Sequence, residues 1–279
     1  MKHLLLGIGL LCHVGCNSAK LPDPVPSSQP SPVPTVSTGP TSTPTPSPSA
    51  SPDTGGTQPT PSPTIGLRPV LLYTGGGSWA PEIDDIKRQL SSLHIPFYAV
   101  TSLKGVEYNR FAAIIMGGGK ASVQSQAIGS GELARLRTAV NNGLNYLGHC
   151  AGAFLVGDYG SWGLKLVPLV IDYPSFYPNI SLGISSHKMK CCGQTSRYVL
   201  YYGGPDLDPV GGSILATYAN GAASIVQLRV GRGLVVLTGG HPEVSENTKQ
   251  ALGVVDPDGV DSELEIKLIR AVVDGLEVQ

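Results

Sequence analysis

The chain has 279 residues, enough for one or two domains, with a formal net charge of −1 and only 14% charged residues. A balance this close to neutral gives no electrostatic basis for nucleic acid or an anionic membrane surface as a partner. Pro, Ser and Thr crowd the N-terminal part, so that part and the rest of the chain are read separately.

Met1-Lys2-His3 and the apolar run Leu4 to Leu11 read as a secretory signal, too short to span a bilayer as a stable helix. The run leads to Val14-Gly15-Cys16-Asn17. Val-Gly-Cys resembles a bacterial lipoprotein cleavage site, although His13 stands where an aliphatic residue is usual. That resemblance implies residues 1–16 as the signal and Cys16 as the lipidated residue. With Asn17 rather than Asp beside it, it also implies an outer-membrane anchor facing the periplasm. An ordinary secreted protein is the alternative. Residues 17–65 form a linker rich in Pro, Ser and Thr, without an aromatic residue. Such a segment favours extended polyproline II and cannot bury enough apolar surface to offset its ordering entropy. Extended at roughly 3 Å per residue, it would reach on the order of 100 Å.

Residues 66–279 suit one domain with a sizeable core. Leu67 to Tyr73 reads as a buried strand, followed by a glycine loop through Ser78 and Trp79. Pro81 suits a first helical position, and Ile83, Ile86 and Leu90 give a helical stripe. Ile95 to Val100 and Phe111 to Met116 read as strands, the latter running into Gly117-Gly118-Gly119. Ser130 reads as the cap of a helix that buries Leu133, Leu136 and Val140. Leu144 to Leu147 is a strand feeding Gly148-His149-Cys150-Ala151-Gly152, with a helix-like run behind it. Ser213 to Tyr218, Ser224 to Val230 and Leu234 to Leu237 read as strands, the last two joined by a turn at Gly231-Arg232-Gly233. Ser262 and Glu265 match a capping box for a final helix that buries Leu264, Leu268, Ile269, Val272 and Val273. Strands alternating with helices predict an α/β fold. Its sheet is mostly parallel with helices on both faces, and its C-terminal portion is antiparallel.

Two segments carry chemistry. Glycine, any residue, nucleophile, any residue, glycine between a strand and a helix is the layout of a nucleophile elbow, which would expose the Cys150 thiol. The bland alternative is a buried core cysteine. Downstream, Gly239-Gly240-His241-Pro242-Glu243 follows a buried strand. His241 would take the thiol proton and Glu243 would fix its tautomer, completing nucleophile, base and orienter. In parallel sheets, sites lie at the carboxyl ends of strands, where the loop after Met116, the elbow and His241 all fall.

Gly-x-Cys-Ala-Gly-Ala with a distant His-Pro-Glu resembles the class I glutamine amidotransferase-like superfamily. Val70 to Ser78 and Ala113 to Gly119 bring it closest to the biotin–protein ligase N-terminal domain type. The resemblance covers roughly residues 67 to 275. It implies a flavodoxin-like, glutamine amidotransferase-like fold. It also implies Cys150, His241 and Glu243 as catalytic residues, and an oxyanion site from the backbone of Gly117, Gly118, Gly119 and Ala151. Ser78, Trp79, His149 and Phe154 are candidates for the pocket wall. Trp79 reads equally as a surface aromatic on the first helix. Phe154 stands where glutamine-hydrolysing members carry Gln, and His149 stands where a small or apolar residue is common.

These features predict an exported, thiol-dependent amide hydrolase acting on a small-molecule or peptide amide, without cofactor or metal. Its only membrane contact would be the lipid anchor. A non-catalytic binding module on the same fold is the alternative. Between residues 158 and 212, Tyr173, Phe176, Tyr177, Tyr198, Tyr201 and Tyr202 cluster with Pro and Gly. This reads as a loop-rich insertion packed by its own aromatics, or as a lid. His187 within it reads as a solvated loop residue or a spare base. Cys191 and Cys192 are adjacent, which disfavours a mutual bond. They read as two buried thiols, or as a source of a thiol that resolves an oxidised Cys150.

Overall fold

The computed structural model describes residues 68–174, 182–259 and 261–279. The signal, Cys16, the linker and Leu67, Phe176 and Tyr177 lie outside these residues. Among the described residues, no helix is long and apolar enough to cross a membrane.

Among the described residues, a nine-stranded sheet has the order β2-β1-β3-β4-β9-β8-β7-β5-β6. The strands are β1 Val70–Tyr73, β2 Phe97–Val100, β3 Ala113–Met116, β4 Asn145–His149, β5 Leu182–Met189, β6 Ser196–Tyr202, β7 Ser213–Tyr218, β8 Ala223–Val230 and β9 Gly233–Thr238. From β2 to β9 the neighbours run parallel, and from β9 to β6 antiparallel. The parallel strands are short and apolar because both their faces are covered. Side chains alternate between two cores. Leu71, Ile114, Tyr146 and Val235 pack with Leu133, Leu136 and Val140 of α3 (Ser130–Asn141) and with α4 (Ala151–Leu155). Leu72, Ile115, Leu147 and Val236 pack with Ile83, Ile86 and Leu90 of α1 (Ala80–Ser92) and with Leu264, Leu268, Ile269 and Val272 of α6 (Ser262–Asp274). Two further helices are α2 (Ala121–Ile128) and α5 (Glu246–Ala251). Val273 is only partly buried against the second core.

Five expectations are corrected. The insertion is not loop-rich: β5 and β6 form an antiparallel hairpin that extends the sheet. Its pattern is hard to read because β5 turns polar residues inward. Ser185 and His187 are both buried. His187 is no solvated residue. Its Nδ1 pairs with Ser224 Oγ at 2.8 Å and its Nε2 with Ser185 Oγ at 2.7 Å, and burial lowers its pKa to about 3. Ser130 is the first residue of α3 rather than its cap. Gly129, at φ 81°, takes that place and turns the chain out of α2. Glu265 forms no capping box with Ser262, because Asp261 occupies the cap position and the Glu265 side chain turns into the core.

The adjacent cysteines are bonded to each other, which corrects the fifth expectation. They sit just after β5, where Cys192 adopts φ 69° and the chain turns tightly enough for the two sulfurs to meet. The Cys192 amide donates to the carbonyl of Gln279, and Lys267 Nζ donates to the Cys192 carbonyl. Cys150 is the free cysteine among the described residues. Neither Cys191 nor Cys192 therefore offers a free thiol to resolve it.

Candidate active site

Register sets the site. Met116 of β3 lies opposite Gly148 of β4, and Gly148 opposite Leu237 of β9. The three segments that follow, Gly117-Gly118-Gly119, Cys150 and Gly239-Gly240-His241, therefore leave the sheet side by side at its carboxyl edge.

Cys150 turns sharply from β4 into α4 at φ 45° and ψ −100°, a conformation that costs a side-chain-bearing residue strain. Several contacts hold it there. Its N–H donates to the Thr238 carbonyl at 2.8 Å, and its carbonyl accepts from Phe154 N–H at 2.9 Å. Gly152 permits the turn, since a Cβ there would lie 2.0 Å from the Met116 carbonyl oxygen. The thiol donates to the Tyr202 carbonyl at 3.6 Å and lies 3.9 Å from that of Gly203.

His241 stands beside it, held by its N–H to the Leu200 carbonyl and by Nδ1 to Glu243 Oε1 at 2.7 Å. Its Nε2 is buried and makes no hydrogen bond among the described residues. A Cβ placed on Gly118 would meet His241 Cε1 at 2.6 Å and Cys150 Cβ at 3.5 Å, so ring and nucleophile converge on one glycine. Burial disfavours a charged imidazole, but Cys150 and Glu82 outweigh it and hold the His241 pKa above its ordinary value. Burial pushes the Glu243 carboxyl up to about 7, with His149 opposing and Glu265 adding to the shift.

No family model matches this sequence, and no curated protein matches it. Among solved structures, a glutamine amidotransferase superimposes with a TM-score of 0.52 at 18% identity, covering 71% of this chain and 97% of its own. The fold is similar to that of this glutamine amidotransferase. An exo-β-1,4-mannosidase from Opitutaceae bacterium strain TAV5 (TM-score 0.49, 18% identity) covers 75% of this chain and 36% of its own. A ThuA-like protein from Bacteroides uniformis (0.48, 13%) covers 77% of this chain and 95% of its own. At such identities the likeness is one of fold alone.

The remaining predicted residues differ in their surroundings. Trp79 is a wall of the site, edge-on to His241 with centroids 5.5 Å apart and to Tyr202 at 5.8 Å. Ser78 pairs with Gly119 through the backbone and brings the first glycine loop against the second. Phe154 packs its ring against Tyr173, with centroids 5.0 Å apart. His149 is no pocket residue. It is fully buried beneath the elbow, where Nε2 lies 3.1 Å from Glu265 Oε2 and 3.7 Å from Glu243 Oε2. The oxyanion expectation is corrected at Gly118, whose N–H lies 2.7 Å from both oxygens of Glu82 and is already engaged. The Gly117 carbonyl accepts from Gln124 Nε2, which fixes the loop from α2.

Glu82 and Glu265 are the residues that sequence reasoning missed as members of the site. Both are fully buried, and burial raises both carboxyls well above the ordinary range, Glu82 further through the charge of Glu243. Glu82, His149 and Glu243 offer one ligand atom each within 4.8 Å of one another, a set that could also hold a metal ion.

Proposed function

We propose that the protein is a thiol-dependent hydrolase of C–N amide bonds. The supporting observation is the meeting of Cys150 and His241 at Gly118, with Glu243 on the far side of the imidazole. Cys150 passes its proton to His241 Nε2, and the thiolate attacks the amide carbonyl. The Ala151 N–H, with Gly117 and Gly119 of the loop, holds the oxyanion that forms, Gly118 being engaged by Glu82. His241 returns the proton to the leaving amine, and water then frees the acyl group with His241 as base. Glu243 accepts the Nδ1–H throughout, which keeps Nε2 as the proton-exchanging atom. The biotin–protein ligase N-terminal type is the narrower reading, supported by the glycine motifs.

Cys150 is expected to alkylate at pH 6 about tenfold faster than an ordinary thiol, and His241→Ala should remove that advantage. Release of ammonia or amine from a panel of carboxamides and peptides should fall at least about a hundredfold in Cys150→Ala. An alkylation profile identical in wild type and His241→Ala would sink the reading. A non-catalytic binding module is the second reading. The engaged Gly118 N–H favours it, and it predicts ligand-induced stabilisation that survives Cys150→Ser.

We further propose export and a lipid tether through Cys16, supported by the N-terminal apolar run and Val-Gly-Cys. On cell fractionation, the wild type should follow membranes and Cys16→Ala should become soluble. Equal partitioning of the two proteins would rule the tether out.

A further inference from the structure

The thiol chemistry leaves open what the site is shaped to receive. Aromatic rings carry large apolar faces that gain by leaving water, yet around Cys150 several stay partly open. Trp79 and Tyr202 are each half-buried, and Tyr173 is 43% exposed. Short links set their positions around the sulfur. Trp79 is tied to the glycine loop by its N–H, which donates to the Gly118 carbonyl at 3.0 Å, and its ring stands edge-on to His241 and to Tyr202. The carbonyls of Tyr202 and Gly203 lie 3.6 and 3.9 Å from the Cys150 sulfur. Three residues on, the Asp206 N–H donates to the Asp172 carbonyl at 2.9 Å, which brings Tyr173 up to the same strand end. Tyr173 packs on Phe154, which lies one helical turn beyond Cys150 and donates its N–H to the Cys150 carbonyl. The rings thus follow one another around the sulfur, from Trp79 through Tyr202 and Tyr173 to Phe154.

The polar groups that join these rings are acceptors. They are the two carbonyls at the sulfur and the exposed Asp172 carboxylate, which accepts the Tyr173 N–H at 2.8 Å. Such a rim favours apolar surface and amide N–H groups and repels a carboxylate. We propose that Trp79, Tyr202, Tyr173 and Phe154 determine specificity, and that the substrate is an amide flanked by a neutral aromatic or other large apolar group, rather than free glutamine with its charged head. This rests on the reading of Cys150 and His241 as nucleophile and base. An aromatic group of the substrate stacks against Trp79 or Tyr173, covering faces that water now wets. A free α-carboxylate in the same place meets Asp172 and the two carbonyl oxygens, an encounter of like charge.

The test compares three chloroacetamides on the full chain, read by mass spectrometry on the peptide carrying Cys150. In each, the sulfur displaces chloride from carbon to give a thioether, and the thiol proton passes to His241, or to water in His241→Ala. The probes are chloroacetamide itself, N-benzylchloroacetamide and N-chloroacetyl-β-alanine, which carries a free carboxylate. Each rate is divided by that for N-acetylcysteine, which removes differences in intrinsic reactivity. The benzyl probe should label Cys150 about tenfold faster than the parent, and the carboxylate probe more slowly than the parent. A benzyl-to-parent ratio near one, or a carboxylate probe as fast as the benzyl one, would overturn the proposal. Tyr173→Ala and Trp79→Ala should each bring the ratio below about threefold, whereas Tyr173→Phe should keep it. The ratio is internal to each variant, so a merely loosened site, which slows all probes alike, leaves it in place. Ratios unchanged in both alanine variants would also reject the rim. Should Trp79→Ala not fold, Tyr173→Ala and Tyr173→Phe decide. His241→Ala separates the two readings. If it leaves parent alkylation at pH 6 unchanged while the wild-type ratio is about tenfold, the nucleophile–base reading has failed and the aromatic rim stands. If it slows alkylation while the ratio is near one, the rim alone is rejected.

Discussion

Gly118→Ala is expected to disable the thiol while leaving the sheet folded. The added methyl would lie 2.6 Å from Glu82 Oε2 and from His241 Cε1, closer than carbon contacts allow. The Glu82 carboxyl can retreat only by giving up the Gly118 N–H. The His241 ring can retreat only by leaving Glu243, 2.7 Å behind it. A displacement near 1 Å at a reacting centre costs about a hundredfold in rate. Alkylation of Cys150 at pH 6.5 should drop by that order, whereas Tm should fall by only a few degrees, since no core side chain is removed. A variant as reactive as the wild type would show that the three groups do not share this contact in solution.

The second large effect is expected away from the thiol. The segment joining His-Pro-Glu to α6 is closed by Lys249, whose buried amine donates to Asp256, to Asp261 at 2.8 Å and to the Gly259 carbonyl at 3.2 Å. Lys249→Met keeps the stem but leaves buried carboxylates facing each other. Breaking such a set from one side costs about 3–5 kcal/mol, or roughly 10 °C in Tm for a domain of this size. Burial already raises the Asp261 carboxyl to about 7, against the pull of Lys249. Without the amine it would rise further. A carboxyl whose folded-state pKa is raised loses stability as pH climbs through the range between its unfolded and folded values. The deficit of the variant should therefore be largest near pH 8 and shrink near pH 5. Thermal melts of both proteins at those two pH values test the sign.

The sequence shows the parallel half of the fold plainly and the antiparallel extension poorly, for physical reasons. Strands such as Val70–Tyr73 and Ala113–Met116 are covered on both faces, so they are written as unbroken apolar runs bounded by glycines. In β5 the inward positions hold Ser185 and His187, which satisfy each other and Ser224, so the usual alternation is lost. The elbow and the His-Pro-Glu turn are legible because their backbone demands glycine at fixed places. Glu82 and Glu265 are not, because each sits in the first turn of its helix, where a carboxylate ordinarily serves the helix end. Only the three-dimensional meeting of α1, α6, β4 and the turn after β9 reveals that these carboxyls lie in the interior beside His241 and His149.

The strand that delivers His241 is the last in sequence among the described residues, yet it lies inside the sheet, between β4 and β8. On a ribosome, Cys150 emerges before this strand is made. Until β9 docks, the β4 edge is open, the Thr238 carbonyl that pins the Cys150 turn is missing, and no imidazole stands beside the sulfur. A pairing between segments so distant along the chain forms late. In the half-made protein Cys150 therefore lacks its imidazole neighbour, which arrives with the same event that closes the sheet.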